Sequence, residues 1–511
     1  MTAIYQRLAG HIVREIRTRA VSTLVALTFV LATIPSARAL TDEEILRDFR
    51  FNFYPPGARA MALGGAFVGI ADDATAADAN PAGLCNLTSG QVFVALGYSG
   101  KDDLGSIQSD VGSLAVNPVT GARDLPYLAL TSQSKSSGQV DADFLAFVWP
   151  MVVGPDGRRL ALSASRQVIL SADRSLNHTE SQFSFSSYPN TVSDGQVVAY
   201  SVLAPGTGSL TSDVVYWNVS AAYQVHPDFA IGATVSYATF AMNAGTSTQV
   251  IDPLQLFVDP THPRLPALQS TDFYDTRIDG NDSGIAYSFG LEWHPVSAFR
   301  SGESPWRFGA VFQKGVKFSV PETTTLNGLS YESFDNNVVV PDRYSVGASY
   351  TLGKRWLFAL QFQRIEYSDQ LDSYRSGVNF ITSARVADGS YTVNPNVPVT
   401  FDVNDGTFFR VGAEYLVDLG GGDGNDLAIR GGYYRSPDDR IRMTQFDATD
   451  PAVNAMYLGA FPEGEAANHF TTGLGYTYGA STFNLAIDYA SQGSRIVGSY
   501  AWIMGTKKKK S

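Results

Sequence analysis

From about residue 90 to the end, apolar residues return every second position in runs of 10 to 14 residues. That period belongs to a strand with two unlike faces. In one run Val215, Trp217, Val219, Ala221, Tyr223 and Val225 alternate with Tyr216, Asn218, Ser220, Ala222 and Gln224. In others Ile285, Tyr287, Phe289, Leu291 and Trp293 share a face, as do Phe409, Val411, Ala413, Tyr415 and Val417. Soluble strands usually stop after five or six residues. The apolar face carries rings at run ends (Trp217, Tyr237, Trp293, Trp306, Tyr350, Trp356, Tyr478, Tyr489), and the opposite face is small and polar. Lipid offers no partner to a backbone N–H or C=O, so a sheet there must close on itself. The pattern predicts an all-β fold, a transmembrane antiparallel β-barrel.

Composition agrees. Only 17% of the 511 residues are charged, against about 25% in an ordinary soluble domain. Aromatic residues reach 12%. The net charge of −12 argues against nucleic acid as a partner, since phosphate contacts need clustered cations. A single cysteine, Cys85, excludes a disulfide framework and a Cys-based zinc site.

Residues 1–39 read as a signal peptide: Arg7, Arg14, Arg17 and Arg19 precede the uncharged run Val21 to Ile34, and Ala37-Arg38-Ala39 supplies a cleavage site. The alternative, a membrane anchor, is disfavoured because a spanning helix needs about 20 residues. Cleavage removes five Arg and one Glu, taking the net charge from −12 to −16. The expected address is the outer membrane of a Gram-negative bacterium.

Connections alternate between short (151–157, 226–228, 295–305, 353–354, 418–426, 479–482) and long (171–212, 242–283, 319–340, 369–405, 437–467), as periplasmic turns and outer loops do. Fifteen runs alternate, whereas bacterial single-chain barrels have even strand numbers. The weakest run, 125–133, is assigned to the first outer loop, leaving about 14 strands over 91–504. Residues 505–511 form a basic tail in which Lys507 to Lys510 are solvated or touch lipid headgroups.

Residues 40–90 do not alternate. Thr41-Asp42-Glu43-Glu44 matches a capping box and predicts a short helix. The glycine- and alanine-rich string from Gly57 to Phe67 suits tight packing inside something larger, as a plug in the lumen. Arg410, Glu414 and Arg430 fall on the inward phase of two consecutive strands. They are read first as anchors for plug carboxylates such as Asp72 or Asp73, and second as a seat for a ligand carboxylate. Asp418, Asp423 and Asp426 lack the spacing of a Ca²⁺ loop, so no metal site is expected. No catalytic motif stands in a suitable context, so neither an enzyme nor a cofactor is expected.

The string Gly57 to Gly83, with Gly64-Gly65-Ala66-Phe67, the Ala-Asp-Asp-Ala step at 71–74 and Asn80-Pro81-Ala82-Gly83, resembles the FadL-type outer-membrane transporters of long-chain fatty acids and of toluene or xylene. Pro341 to Tyr350 followed by Trp356 is similar to a later hairpin of that family. The resemblance implies a fourteen-stranded barrel with an N-terminal hatch, in which Leu40, Phe53, Phe67, Asn80, Pro81, Ala82 and Gly83 are hatch or ligand residues. It implies passive uptake of hydrophobic small molecules by a monomer in outer-membrane lipid, with a sideways exit near Phe144 to Leu170. There Pro150 and the turn Gly154-Pro155-Asp156-Gly157 are expected to interrupt strand pairing. The chain departs from the family in ending its last strand at Tyr500, Trp502 and Met504 before the basic tail. Relatives with the Arg59 to Gly65 form include proteins thought to assist secretion, so a secretion or surface-attachment partner is the second reading. A diffusion porin is the third, disfavoured because a hatch blocks water.

Overall fold

In the computed structural model the chain divides into a leading unit, Met1–Ala37, and a second unit, Arg38–Ser511. The structure describes residues 51–99, 103–110, 129–136, 139–182, 202–251, 273–299, 303–326, 329–371, 383–385, 391–393, 400–420, 425–445, 464–490 and 493–504. The signal peptide, the helix expected after Thr41, Leu40 and the basic tail lie outside them.

Fourteen strands close into one antiparallel ring. They are β1 Gln91–Ser99, β2 Gln139–Val153, β3 Arg158–Gln182, β4 Val202–His226, β5 Phe229–Ile251, β6 Phe273–Trp293 and β7 Trp306–Lys314. Then follow β8 Arg343–Leu352, β9 Trp356–Ile365, β10 Gly406–Asp418, β11 Asn425–Ser436, β12 Ala467–Tyr478, β13 Ser481–Ala490 and β14 Gly493–Ile503. Each pairs with its sequence neighbour, and β14 returns to β1 in register from Gln91↔Ile503 to Ser99↔Arg495. Closure leaves the ring without an edge strand.

The run at 125–133 does form a strand, Ala129–Ser136, but outside the ring. It pairs with Asp103–Asp110 and with the far end of β3. A second hairpin, Lys317–Leu326 with Leu329–Val339, occupies what the sequence presents as the loop 319–340 and pairs with the start of β6.

The outward face is apolar where it meets lipid. Phe147, Trp149, Val219, Val235, Phe289, Leu474 and Leu485 are exposed, an arrangement a water-facing surface does not sustain over a whole circumference. Rings form two girdles. Near the short turns, Trp293 stacks on Phe308 at 5.1 Å, and Trp306 meets Tyr350 and Trp356 meets Tyr415, each at 4.5 Å. Toward the long connections, Phe312 meets Tyr344 at 5.0 Å and Phe362 meets Phe409 at 5.3 Å.

Strands β3 to β6 are longer than a bilayer requires. They run 25, 25, 23 and 21 residues, against about 9–11 for a membrane-spanning strand. Much of the expected loops 171–212 and 242–283 is therefore strand. Trp217 and Tyr237, expected at run ends, are opposite each other in mid-strand. The hydrophobic face changes sides there. On β5, Ile231, Val235 and Tyr237 point outward while Gly232, Thr234 and Ser236 point in. Beyond Tyr237 the inward positions are Ala238, Phe240, Met242 and Ala244, all buried, and Ala241 and Asn243 face out. A period-2 element cannot slip its faces without a bulge, so the inversion is one of residue type: greasy outside in lipid, then greasy inside above it.

Candidate functional site

The N-terminal segment supplies helix α1 (Ala58–Ala62), helix α2 (Ala76–Ala79) and a 3-10 turn, Pro81–Asn86. It packs within the ring: α1 lies against β11 to β14, and the 3-10 turn against β2 to β6. Inward polar side chains hold its backbone from all round. The N–H groups of Phe67 and Val68 both donate to Gln361 Oε1, at 2.9 and 3.0 Å. Ser349 donates to the carbonyl of Gly69 at 2.8 Å and Thr234 to that of Ala77 at 3.0 Å. Gln313 and Thr471 reach the carbonyls of Asp78 and Ala62, each at 3.1 Å. The small and polar inward face is thus a hydrogen-bonding seat for a short segment that cannot satisfy its own backbone.

Asn80 is wholly buried. Its Nδ2 donates to the carbonyls of Val68 and of Leu291 on β6, each at 3.1 Å, while its Oδ1 accepts from Ala82 N–H at 3.2 Å and starts the turn. Pro81 stands at the first turn of that 3-10 element, where a missing N–H costs nothing. Asn80, Pro81, Ala82 and Gly83 are buried in this packing. Phe67 belongs to the segment's own apolar cluster with Leu63, Ile70 and Ala359.

The charges fall into two groups. Glu414 accepts from Arg430 across the β10–β11 ladder at 2.5 Å and from Arg59 Nε at 3.1 Å. Arg59 also pairs with Asp72 and stands 3.9 Å from Asp73, and Arg307 lies 3.8 Å from Asp72. These residues tie the segment to β10, β11 and β7. Asp73 in turn accepts from Thr75 N–H at 2.9 Å, capping the turn into α2. Arg59 is the charge that a reading of the strands alone passes over, although it is the one ionic residue between Gly57 and Phe67. Arg410 stands apart: among the described residues it has no ion pair, and only its Nη2 is bonded, to Gln363 Oε1 at 2.7 Å.

Above the segment, toward the long connections, lies a cluster of buried apolar residues. Leu210, Val214, Phe240 and Met242 enter it from β4 and β5, and Phe318 and Val320 of the 317–339 hairpin complete it, with Phe240 and Phe318 stacked at 5.1 Å. The other side is polar: Gln363, Arg410, Tyr434, His469, Asp488 and Arg495 occupy inward positions of β9 to β14. The start of the described chain enters between the two. Phe53 is buried among the apolar residues, 6.4 Å from the Tyr367 ring and beneath the Arg343 guanidinium at 4.5 Å. Tyr54 meets the Tyr434 ring at 5.1 Å. Burial is the main influence on Tyr367, whose hydroxyl is pushed well above its ordinary range.

Strand pairing is unbroken where Pro150 and the 154–157 turn were expected to disturb it: β2 and β3 pair continuously from Phe144↔Gln167 to Val153↔Arg158, with Pro150 opposite Ala161. Turn glycines end a ladder without weakening it, and Pro150 keeps its place in register. The slips lie to either side. Between β1 and β2 the register jumps at Leu96, where Asp143 turns inward over Gly97 and accepts from Arg495 at 2.7 Å. Between β3 and β4 the extra residue is Ile169, whose carbonyl accepts from Asn52 N–H at 2.6 Å.

Asp342, Glu366 and Asp369 could together offer three oxygens within 4.8 Å. Both Asp342 oxygens are already taken, by Lys314 Nζ at 2.7 Å and Gly315 N–H at 2.8 Å, and Asp369 accepts from Asp342 N–H. The cluster is explained by these bonds.

No family model matches the chain, and no curated protein matches it in sequence. Solved structures do match. A FadL homologue from Pseudomonas aeruginosa superposes with a TM-score of 0.53 at 14% identity, covering 92% of this chain and 100% of its own. The Ralstonia pickettii toluene transporter TbuX (TM-score 0.50, 16% identity) and the P. putida toluene transporter TodX (0.53, 14%) each cover 89% of this chain and 100% of their own. Likeness at this identity is likeness of fold: the chain has the closed fourteen-stranded barrel of these proteins.

Proposed function

We propose that this FadL-type barrel carries out passive uptake of hydrophobic compounds, fatty acids or aromatic hydrocarbons, across the outer membrane. The observation that carries the reading is the inversion on β4 and β5. A barrel that only needed to stand above the membrane would keep polar residues on both faces of its extensions. Here the inner face becomes apolar where the outer face becomes polar, which prepares a greasy interior on the side from which solutes arrive. Burial contributes roughly 0.8 kcal/mol per CH₂, so such an interior holds a hydrophobe without further contacts. That three proteins sharing the fold include two toluene transporters supports the reading.

Release then requires the N-terminal segment to yield, acting as a hatch, because its backbone fills the route below the apolar cluster. The lateral exit fits the slip between β1 and β2, where Gly97 offers no side chain and the Asp143–Arg495 pair stands in the gap. A diffusion porin fits poorly with a lumen so filled, and nothing in the described residues favours a secretion partner over a transporter. The test is mass spectrometry of compounds co-purifying with the mature barrel, followed by uptake of those compounds into cells with and without it. Hydrophobic compounds enriched over a control barrel are expected; an empty barrel and unchanged uptake would overturn the reading.

A further inference from the structure

We infer that the outer wall of β3 to β6 holds an outer-leaflet lipid whose headgroup is a phosphorylated sugar. The inference concerns the face opposite the lumen and does not depend on what the barrel carries. Tyr237 is the ninth residue of β5, counted from the short turn at 226–228, and a membrane-spanning strand needs about 9–11. Trp217 stands opposite it on β4, so both rings lie at the far membrane boundary. Trp217 is 52% and Tyr237 50% exposed. Arg166 of β3 continues the row in register with Trp217, and Ile285 of β6 ends it. Below the row the outward residues Leu162, Val219, Val235 and Phe289 are apolar and exposed, a surface for acyl chains.

Two features here exceed what an aromatic girdle needs. The first is a cation on the lipid-facing side. Arg166 has no ion pair among the described residues; its guanidinium lies 5.8 Å from the Trp217 ring, and Nη1 donates to the Ala142 carbonyl at 2.9 Å. The rest of the fork is left for an acceptor, and a guanidinium matches a phosphate with two parallel bonds. The second is a concavity of about 480 Å³ immediately above Tyr237. Asp213, Val215, Thr239, Asn281 and Ser283 line it, all on the outward side of their strands. Asp282, also in the lining, is engaged by the N–H groups of Ser283 and Ser319, each at 2.7 Å. No cation is among these residues, so a phosphate has no seat within the concavity. Carboxylate, amide and hydroxyl at close spacing instead suit the neighbouring hydroxyls of a sugar, whose C–H side lies on the Tyr237 ring. Arg166 and Tyr237 are separated by one strand, about 10 Å at ordinary spacing. That distance fits a phosphate joined to a sugar ring. A bare phospholipid would reach Arg166 and leave the concavity open, and a sugar lipid without phosphate would do the reverse.

The test is native mass spectrometry of the mature barrel in non-ionic detergent. It is titrated with diacylglucosamine phosphate, phosphatidylglycerol or galactosyl diacylglycerol, all with two acyl chains. The sugar phosphate is expected to bind about fivefold tighter than either, roughly the worth of one cation at a membrane surface. Arg166→Gln should bring it down to the galactolipid, and the double variant Asp213→Ala, Asn281→Ala should bring it down to phosphatidylglycerol. Neither variant touches the lumen, and heat-dependent gel mobility checks that each remains a folded barrel. Arg364→Gln, at an outward cation on β9, should change nothing. Equal binding of the sugar phosphate and either comparison lipid overturns the inference. So does a preference that survives both variants, or one that Arg364→Gln lowers equally. None of these results bears on uptake, which is measured separately.

Discussion

A Cβ placed on Gly290 of β6 would stand 2.2 Å from the Oδ1 of Asn80. The wall and the segment inside it therefore meet backbone to side chain, with no room for a methyl group. The same closeness recurs at Gly412, where a Cβ would stand 2.4 Å from the carbonyl oxygen of Leu63. Inward glycines on these strands are contact points for a packed segment. Gly290→Ala is expected to destabilise that packing by about 1–3 kcal/mol. The barrel itself should persist, because the ladder at this position does not involve the side chain. Electrical conductance across planar bilayers should rise as the segment loosens; conductance and melting temperature both at wild-type values would contradict the close packing.

Asn80→Ala should act in the same direction by another route. It removes two bonds donated by Nδ2 and one accepted by Oδ1, leaving the Val68 carbonyl and the Ala82 N–H buried and unpaired. Each orphaned group costs about 1–3 kcal/mol. Hydrogen exchange should show the turn Pro81–Asn86 opening while β6 stays protected.

Arg59 and Glu414 form the ionic tie between segment and wall. Arg59→Gln alone leaves Glu414 with Arg430 and frees Asp72 from its main partner. Breaking one side of a buried pair costs about 3–5 kcal/mol, and removing both sides usually costs less. The double variant Arg59→Gln, Glu414→Gln is therefore expected to retain more protection in α1 than the sum of the single effects predicts. Additive losses would show that the two side chains act independently.

The contact between the β4–β5 turn and the β6–β7 connection provides a pH prediction. Asp228 accepts from the Ser297 hydroxyl and, at 2.8 Å, from Ser297 N–H, and these bonds hold its carboxyl below the usual carboxylate range. A lowered acid stabilises the turn at any pH above its ordinary value of about 3.9, and that contribution disappears as pH falls through the lower folded value. Ser297→Ala should bring the carboxyl back up, so the turn opens at a higher pH than in the wild type. Exchange at His294 N–H, which donates to the Asp228 carbonyl at 2.8 Å, reports it once corrected for intrinsic rate. Superimposable pH profiles would refute the assignment.

Tyr98 and Val140 are directly opposed across the β1–β2 seam beside the slip. Cysteines at both positions should form a disulfide under oxidation. Uptake should fall on oxidation and return on reduction; uptake indifferent to the bridge would exclude this seam as the exit.

The barrel was legible in the sequence because alternation is a local property. Lipid outside and a different environment inside impose the same period on each strand, and an even strand count ruled out the fifteenth run. Glu414 and Arg430 were readable as inward charges for the same reason. The reversal of faces beyond Trp217 and Tyr237 was also written there, as the switch from Ser236 to Phe240 on the inward positions, yet it reads as a loop to anyone expecting one greasy face per strand.

What alternation determined, then, was which residues face lipid and that the sheet must close, since both follow from spacing along one strand and from the lack of water in a bilayer. It could not determine who meets whom across the lumen. That Arg59 finds Glu414 355 residues away, that Gln361 takes two N–H groups of the N-terminal segment, and that Arg410 is left with rings for company depend on closing the ring around a folded segment. Such contacts join positions distant in sequence whose only shared property is the space they fill, and only the tertiary structure sets that space.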